Sequence, residues 1–222
     1  MRKLLLTSLG FLILGSSLPI CAQLDGVDYE WEQKRDRDGI QVYTSVVPDS
    51  PYKAVRGVMT IKGDAAALVA LVNDLPRCPD WADLCKESVS LERLSDTEQI
   101  VHIHNDIPFP VSDRDVVARM KWSRSEEGRI TMHSVALMEE DSHRYQEPKS
   151  KAVRIYQAVT QWHFTPLEDG EVMVENFAHI NPNGPTPAWL TNLLLVSSPF
   201  KTMQSMRDIV EAGDYSEAEL TF

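Results

Sequence analysis

PAWLTNLLLVSSPFKTMQSMRDIV, residues 187–210, is the stretch on which the fold turns. Leu190, Leu193, Leu194, Phe200, Met203, Met206 and Val210 fall near a 3.6-residue period, with Lys201, Gln204, Arg207 and Asp208 on the other side. That pattern predicts a long amphipathic C-terminal helix. Pro199 has no N–H for the helical ladder, so a kink or break is expected near 196–198. A helix with one apolar face must bury it against something, and the chain before it reads mostly as strands.

Working outward, period-2 runs with β-branched and aromatic residues mark strands at 29–35, 40–46 and 52–61, joined by the Asp38-Gly39 turn and by Pro48 and Pro51. Asp64 is a candidate N-cap for an Ala- and Leu-rich helix over 65–72. Pro76, Pro79 and Asp80-Trp81-Ala82 make a short irregular or helical passage. Strands then resume at 87–94, 99–107, 113–124, 129–138, 152–164 and 171–180, with turns at Ser95-Asp96, Glu126-Glu127-Gly128 and Glu168-Asp169-Gly170. Short connections make this a long antiparallel meander. The expected fold is α+β: a curved antiparallel sheet wrapped around the C-terminal helix, with too little helix to fill its concave side and therefore an internal cavity.

Composition agrees with one globular body. Of 222 residues, 43% are hydrophobic and 25% charged, and no repeat or low-complexity linker marks a boundary. Residues 1–22 have the layout of a secretory signal peptide: Arg2 and Lys3, an apolar run from Leu4 to Ile20, then Cys21-Ala22. The remainder, 23–222, is read as one domain with its core over 28–213. Without Arg2 and Lys3 the chain holds 20 basic residues against 33 acidic, a net charge of −13. Such a charge excludes nucleic acid and anionic headgroups as bulk electrostatic partners. The product is expected to be exported, periplasmic or secreted, and soluble after cleavage. A lipoprotein anchored through Cys21 is the competing reading, against which stands the lack of a small residue just before that cysteine.

Export leaves Cys78 and Cys85 as an even pair in an oxidising compartment. Seven residues of unbroken helix would rise about 10.5 Å, too far to bridge, but Pro79 argues against such a helix. A disulfide closing this short loop is favoured; two buried free thiols are the alternative.

Ile107-Pro108-Phe109-Pro110-Val111-Ser112-Asp113-Arg114-Asp115-Val116-Val117 resembles the Pro-aromatic-Pro, then Arg-Asp, signature of START (steroidogenic acute regulatory protein-related lipid transfer) domains. Asp80-Trp81, the Asn181-Pro182 turn and the helix from Pro187 occupy places similar to those of the family's elements, so the resemblance spans nearly all of 28–213. It implies a helix-grip fold with a lipid-sized hydrophobic tunnel beneath the C-terminal helix, and an exported protein that binds or shuttles a lipid or sterol-like molecule without catalysis. Arg114 becomes a ligand candidate, although an ion pair with a neighbouring carboxylate would serve the scaffold equally; Asp115 has the stronger claim to a structural role.

Other ligand-contact candidates are apolar and aromatic. Leu193, Leu194, Phe200 and Met203 lie on the helix stripe, and Met132, Tyr156, Trp162 and Phe177 on the gripping strands. Each could equally pack a plain core. His102 and His104 share one face of a strand at a metal-chelating spacing, but Val101, Ile103 and Ile107 claim the buried face, placing the histidines toward solvent or a second layer. No metal or cofactor is expected. Nucleophile-elbow, Walker, dinucleotide and zincin motifs do not occur. The alternative function is a helix-grip cyclase- or hydrolase-like enzyme acting on a hydrophobic substrate, with Glu175, Asn176 or Tyr156 as its polar groups. A monomer in transient contact with membranes through Trp189 and Leu190 completes the expectation.

Overall fold

The computed structural model describes residues 29–148, 151–184, 190–191 and 193–222. The leader, Cys21 and Trp189 lie outside these residues.

Ten strands form one curved, unclosed sheet: β1 Glu32–Arg37, β2 Ile40–Ser45, β3 Ala54–Lys62, β4 Cys85–Arg93, β5 Glu98–Asn105, β6 Arg114–Arg124, β7 Ile130–Ala136, β8 Val153–Ile155, β9 Gln157–Pro166 and β10 Glu171–Asn181. Pairing runs β1-β2-β3-β10-β9-β7-β6-β5-β4, antiparallel throughout, while β8 adds in parallel to β6. The meander expected from the sequence holds from β4 to β10 apart from β8. The first three strands pair in order and antiparallel, as expected, but the meander breaks between β3 and β4, because the chain leaves β3 beside β10 and restarts at the far edge. Register slips in the β1–β2 and β4–β5 pairs add bulges that bend the outer strands. At the first hairpin Asp38 and Gly39 both have positive φ, the backbone a two-residue loop between Arg37 and Ile40 requires.

Helix α1 (Ala65–Asn73) begins at Asp64, whose carboxylate accepts the Ala66 N–H at 2.6 Å. It has no polar face before Asn73, and it is buried between sheet and C-terminal helix. A 3-10 turn and the single-turn helix α2 (Cys78–Trp81) follow, and Cys78 is bridged to Cys85 across a Cα separation of 5.9 Å. Helix α3 (Glu139–Tyr145) was not expected from the sequence: Glu-Glu-Asp-Ser-His-Arg-Tyr has no apolar period, and only its charge order, acidic first turn and basic last turn, suits a helix. The single strand expected over 152–164 is broken at Tyr156 into β8 and β9.

The C-terminal helix departs from α geometry where expected. Leu193–Ser197 is a π-turn, and α4 (Ser198–Glu211) starts with Pro199 in its first turn, where a missing N–H costs least. Met203, Met206 and Val210 are buried against β2, β3 and α1. Gly57 on β3 lets α4 approach, since a Cβ there would lie 2.3 Å from Met203 Sδ. Beyond the expected core boundary at 213, Tyr215, Leu220 and Phe222 pack on the same core, with the Phe222 ring 6.1 Å from Trp122.

Candidate functional site

Between the concave side of the sheet and the helices lie two adjoining chambers, one of about 620 Å³ and one of about 230 Å³. Strand alternation explains the wall: Asn176 and Ala178 on β10, and Thr160 and Trp162 on β9, turn one face inward. Trp81 and Trp162 border both chambers, their rings 6.1 Å apart and edge to face. Leu190, Leu194, Leu195 and Thr202 roof the larger chamber; Val72, Leu75, the Cys78–Cys85 bridge and Met132 help close the smaller. Together they fall in the range of small-molecule sites.

Among the described residues, charge enters only the larger chamber, through Lys53, Asp83 and Arg114. Arg114 is 6% exposed, and the carboxylate partner expected for it is not what it binds. Its guanidinium donates to three backbone carbonyls, Pro182 at 3.2 Å, Ser112 at 2.6 Å and Asn183 at 3.4 Å, thereby tying the start of β6 to the turn after β10. Burial pushes it below its ordinary pKa. Asp83 joins the roof to the floor: its N–H donates to Thr202 Oγ1 at 3.0 Å, and its carbonyl accepts from Ser198 Oγ at 3.4 Å.

On the opposite face of β6, Asp115 accepts two bonds from Arg154, at 2.9 and 2.8 Å, and sits 3.1 Å from His102 Nε2. Burial pushes its carboxyl up, but the His102 and Arg154 bonds and the Arg154 charge outweigh this and hold it well below the usual carboxylate range. His104 Nε2 meets Asp113 at 2.8 Å. Of the two positions open to these histidines, the second layer is the one they take, beneath the α3–β8 segment that supplies Arg154. No group of three metal-ligating side chains occurs among the described residues.

Of the residues singled out from the sequence, Arg114, Trp162 and Leu194 line the larger chamber, and Met132, with Trp162, the smaller. The others lie elsewhere. Tyr156 faces outward to His143, 3.2 Å away; Phe177 packs with Tyr29 and Trp31 on the outer side of the sheet. Phe200 carries the Arg35 guanidinium 4.5 Å from its ring centre, Met203 lies under α4 against Gly57, and Leu193 is half-buried outside both chambers. Glu175 pairs with Arg56 and Arg129 on the outer face, so of the three alternative polar groups only Asn176 lines the larger chamber. Sequence reasoning missed Trp81 as a wall residue, along with Ser88 and Asn105; the Asp80-Trp81 pair was the available signal.

A family model described as START domain matches residues 21–213. An uncharacterized protein of Pseudomonas aeruginosa is 31% identical over 182 residues, 82% of this chain and 87% of its own. Among solved structures, a STAR-related lipid transfer protein from Xanthomonas axonopodis superposes with a TM-score of 0.72 at 31% identity, covering 82% of this chain and 98% of that one. Human StAR-related lipid transfer protein 5 gives 0.71 at 17% identity, covering 82% and 86%, a likeness of fold. With a concave sheet, a kinked helix over it and an apolar space between them, the chain belongs to the START domain family.

Proposed function

We propose that this chain binds, and passes on, a hydrophobic small molecule such as a lipid or sterol-like compound, held between the sheet and the C-terminal helix without catalysis. The observation that carries this reading is the pair of adjoining chambers in a wall that is mainly apolar. The Xanthomonas relative, described as a lipid transfer protein, supports it. Burying about 400 Å² of ligand apolar surface at roughly 25 cal/mol per Å² gives about 10 kcal/mol gross, enough to offset association and ordering costs.

Access is at the π-turn end of the roof, beyond the bonds that Asp83 makes to Ser198 and Thr202. The other end is tied down: Glu211 accepts the Lys62 N–H at 3.1 Å, Arg207 donates to Asp38 O at 2.6 Å, and Tyr215 bonds Asp74 at 2.7 Å. Leu190 is 1% exposed and belongs to the roof rather than to a membrane-contacting surface. Brief membrane contact falls instead to Phe109, 95% exposed on the loop between Ile107 and Arg114, both of which line the larger chamber. The layout of residues 1–22 and the disulfide support export to an oxidising compartment, where the protein works as a monomer. No helix among the described residues is long and apolar enough to cross a membrane.

Native mass measurement of gently purified protein tests the proposal. It predicts a stoichiometric apolar adduct that organic extraction releases. Protein that arrives empty and refuses a panel of phospholipids, fatty acids and sterols would refute it.

A further inference from the structure

The smaller chamber is room that longer side chains would have closed. Its wall carries Ala118 on β6, Ala136 on β7 and Ala158 on β9, and further from Arg114 along β6 and β7 it ends at Met120 and Met132. Beyond the methionines the core is shut by aromatic rings, with Trp122 at 6.2 Å from Phe164 and 6.1 Å from Phe222. An apolar space of about 230 Å³ inside a folded chain forfeits packing that larger residues at those alanines would supply, so it points to an occupant. Trp81, Thr160 and Trp162 border both chambers, so whatever fills the larger one lies against the smaller. The two differ in charge. Lys53, Asp83 and Arg114 line the larger, and none of the described residues lining the smaller is charged. A polar or ionised end would lose its hydration in the smaller chamber with no counter-ion, whereas a hydrocarbon end gains by leaving water.

We infer that the smaller chamber is a chain-end pocket that sets the length of the ligand, a single-chain amphiphile. Its polar end stays beside Lys53, Asp83 and Arg114 in the larger chamber, and its terminal carbons run past Trp81 and Trp162 over Ala118 and Ala158. Each further methylene gains burial only while room remains, and at Met120 and Met132 a longer chain must displace packed core. This rests on the lipid-binding reading and names its ligand class.

The test uses the full processed chain, with octanoate, dodecanoate, hexadecanoate and cholesterol displacing an apolar fluorophore. The unsubstituted protein should bind dodecanoate at least ten-fold more tightly than octanoate; equal binding of the two overturns the inference whatever the variants do. Ala118→Leu and Ala158→Leu each extend the wall into the smaller chamber, from β6 and from β9. Each should lower hexadecanoate affinity about ten-fold, the burial of roughly two methylenes, and leave octanoate within about two-fold. Octanoate and a cooperative melt are thus the controls for folding, and two independent variants guard against a failure of either. A length profile unchanged in the variants overturns the inference while leaving lipid binding intact. Equal loss of octanoate and hexadecanoate in a variant that still melts cooperatively would put the polar end in the smaller chamber and overturn it too. Displacement by cholesterol alone overturns the inference and leaves the lipid-binding reading standing; displacement by none of the four overturns both.

Discussion

Arg114 and Asp115 are neighbours on β6 and point to opposite faces of the sheet, into two regions built on different rules. On the outer face, Asp115 is fully buried and both its oxygens are taken, by Arg154 and His102. On the inner face, Arg114 meets only carbonyls and borders the larger of two mainly apolar chambers. The Asp115 bonds fix one arrangement of the chain and lock β8 onto β6, although His102 Nδ1 is buried with no partner among the described residues. A mainly apolar wall around a cavity leaves room for something from outside. The frame and the site are thus separable, and substitutions should separate them.

The largest effect is expected on the frame. Arg154→Ala strands a buried carboxylate and should cost about 3–5 kcal/mol of stability, seen in denaturant melts. Ligand affinity of the folded fraction should not change. The same pair sets the acid limit. Because the Asp115 pKa is lowered in the folded state, its contribution is complete above about pH 4 and is lost as pH falls from there toward the folded value. Melts from pH 7 to pH 2 should therefore show a loss that Arg154→Ala largely abolishes; a parallel loss in both proteins would break the assignment.

Next comes the loop that closes one end of the tunnel. Replacing Cys78 and Cys85 with serine opens a loop of about eight residues, and the chain-entropy model gives roughly 2.5 kcal/mol for it. Since both cysteines line the smaller chamber, this substitution should reduce stability and ligand binding together, unlike Arg154→Ala. Last and smallest in stability is Leu194→Trp, on the half-buried roof. It should leave the stability to unfolding within about 1 kcal/mol while lowering uptake at least ten-fold, by intruding into the larger chamber. Normal uptake by this folded variant would show that the helix stripe does not border the site.

Much of the frame was legible in the sequence, because alternation and the 3.6-residue period report directly on burial. Asp64, the Asp38-Gly39 turn, the break before Pro199 and the paired cysteines all act within a few residues of themselves. Period says that a residue is inside, however, and not which inside. Phe177 and Trp162 both sit on strands in apolar settings, yet one packs outside the sheet beneath Tyr29 and Trp31 and the other lines the tunnel. The helix stripe divides in the same way, Leu194 facing the chamber and Met203 facing Gly57. Tyr156 was misplaced because a short parallel strand, set by long-range pairing to β6, interrupts what reads as one run. Arg114 and Asp115 were legible as a motif, but Arg154, Pro182 and Asn183, which hold them to the rest of the fold, lie 39 to 69 positions away, beyond the reach of local pattern.

The central claim is that ligand lies between sheet and helix, against Trp81 and Trp162. A diazirine-bearing apolar alcohol, photolysed in the purified protein and mapped by peptide sequencing, tests that location directly. The account predicts labels on the segments carrying Trp81, Trp162 and Leu194. Labels confined to the outer face, around Phe177, Glu175 and Tyr156, would contradict it.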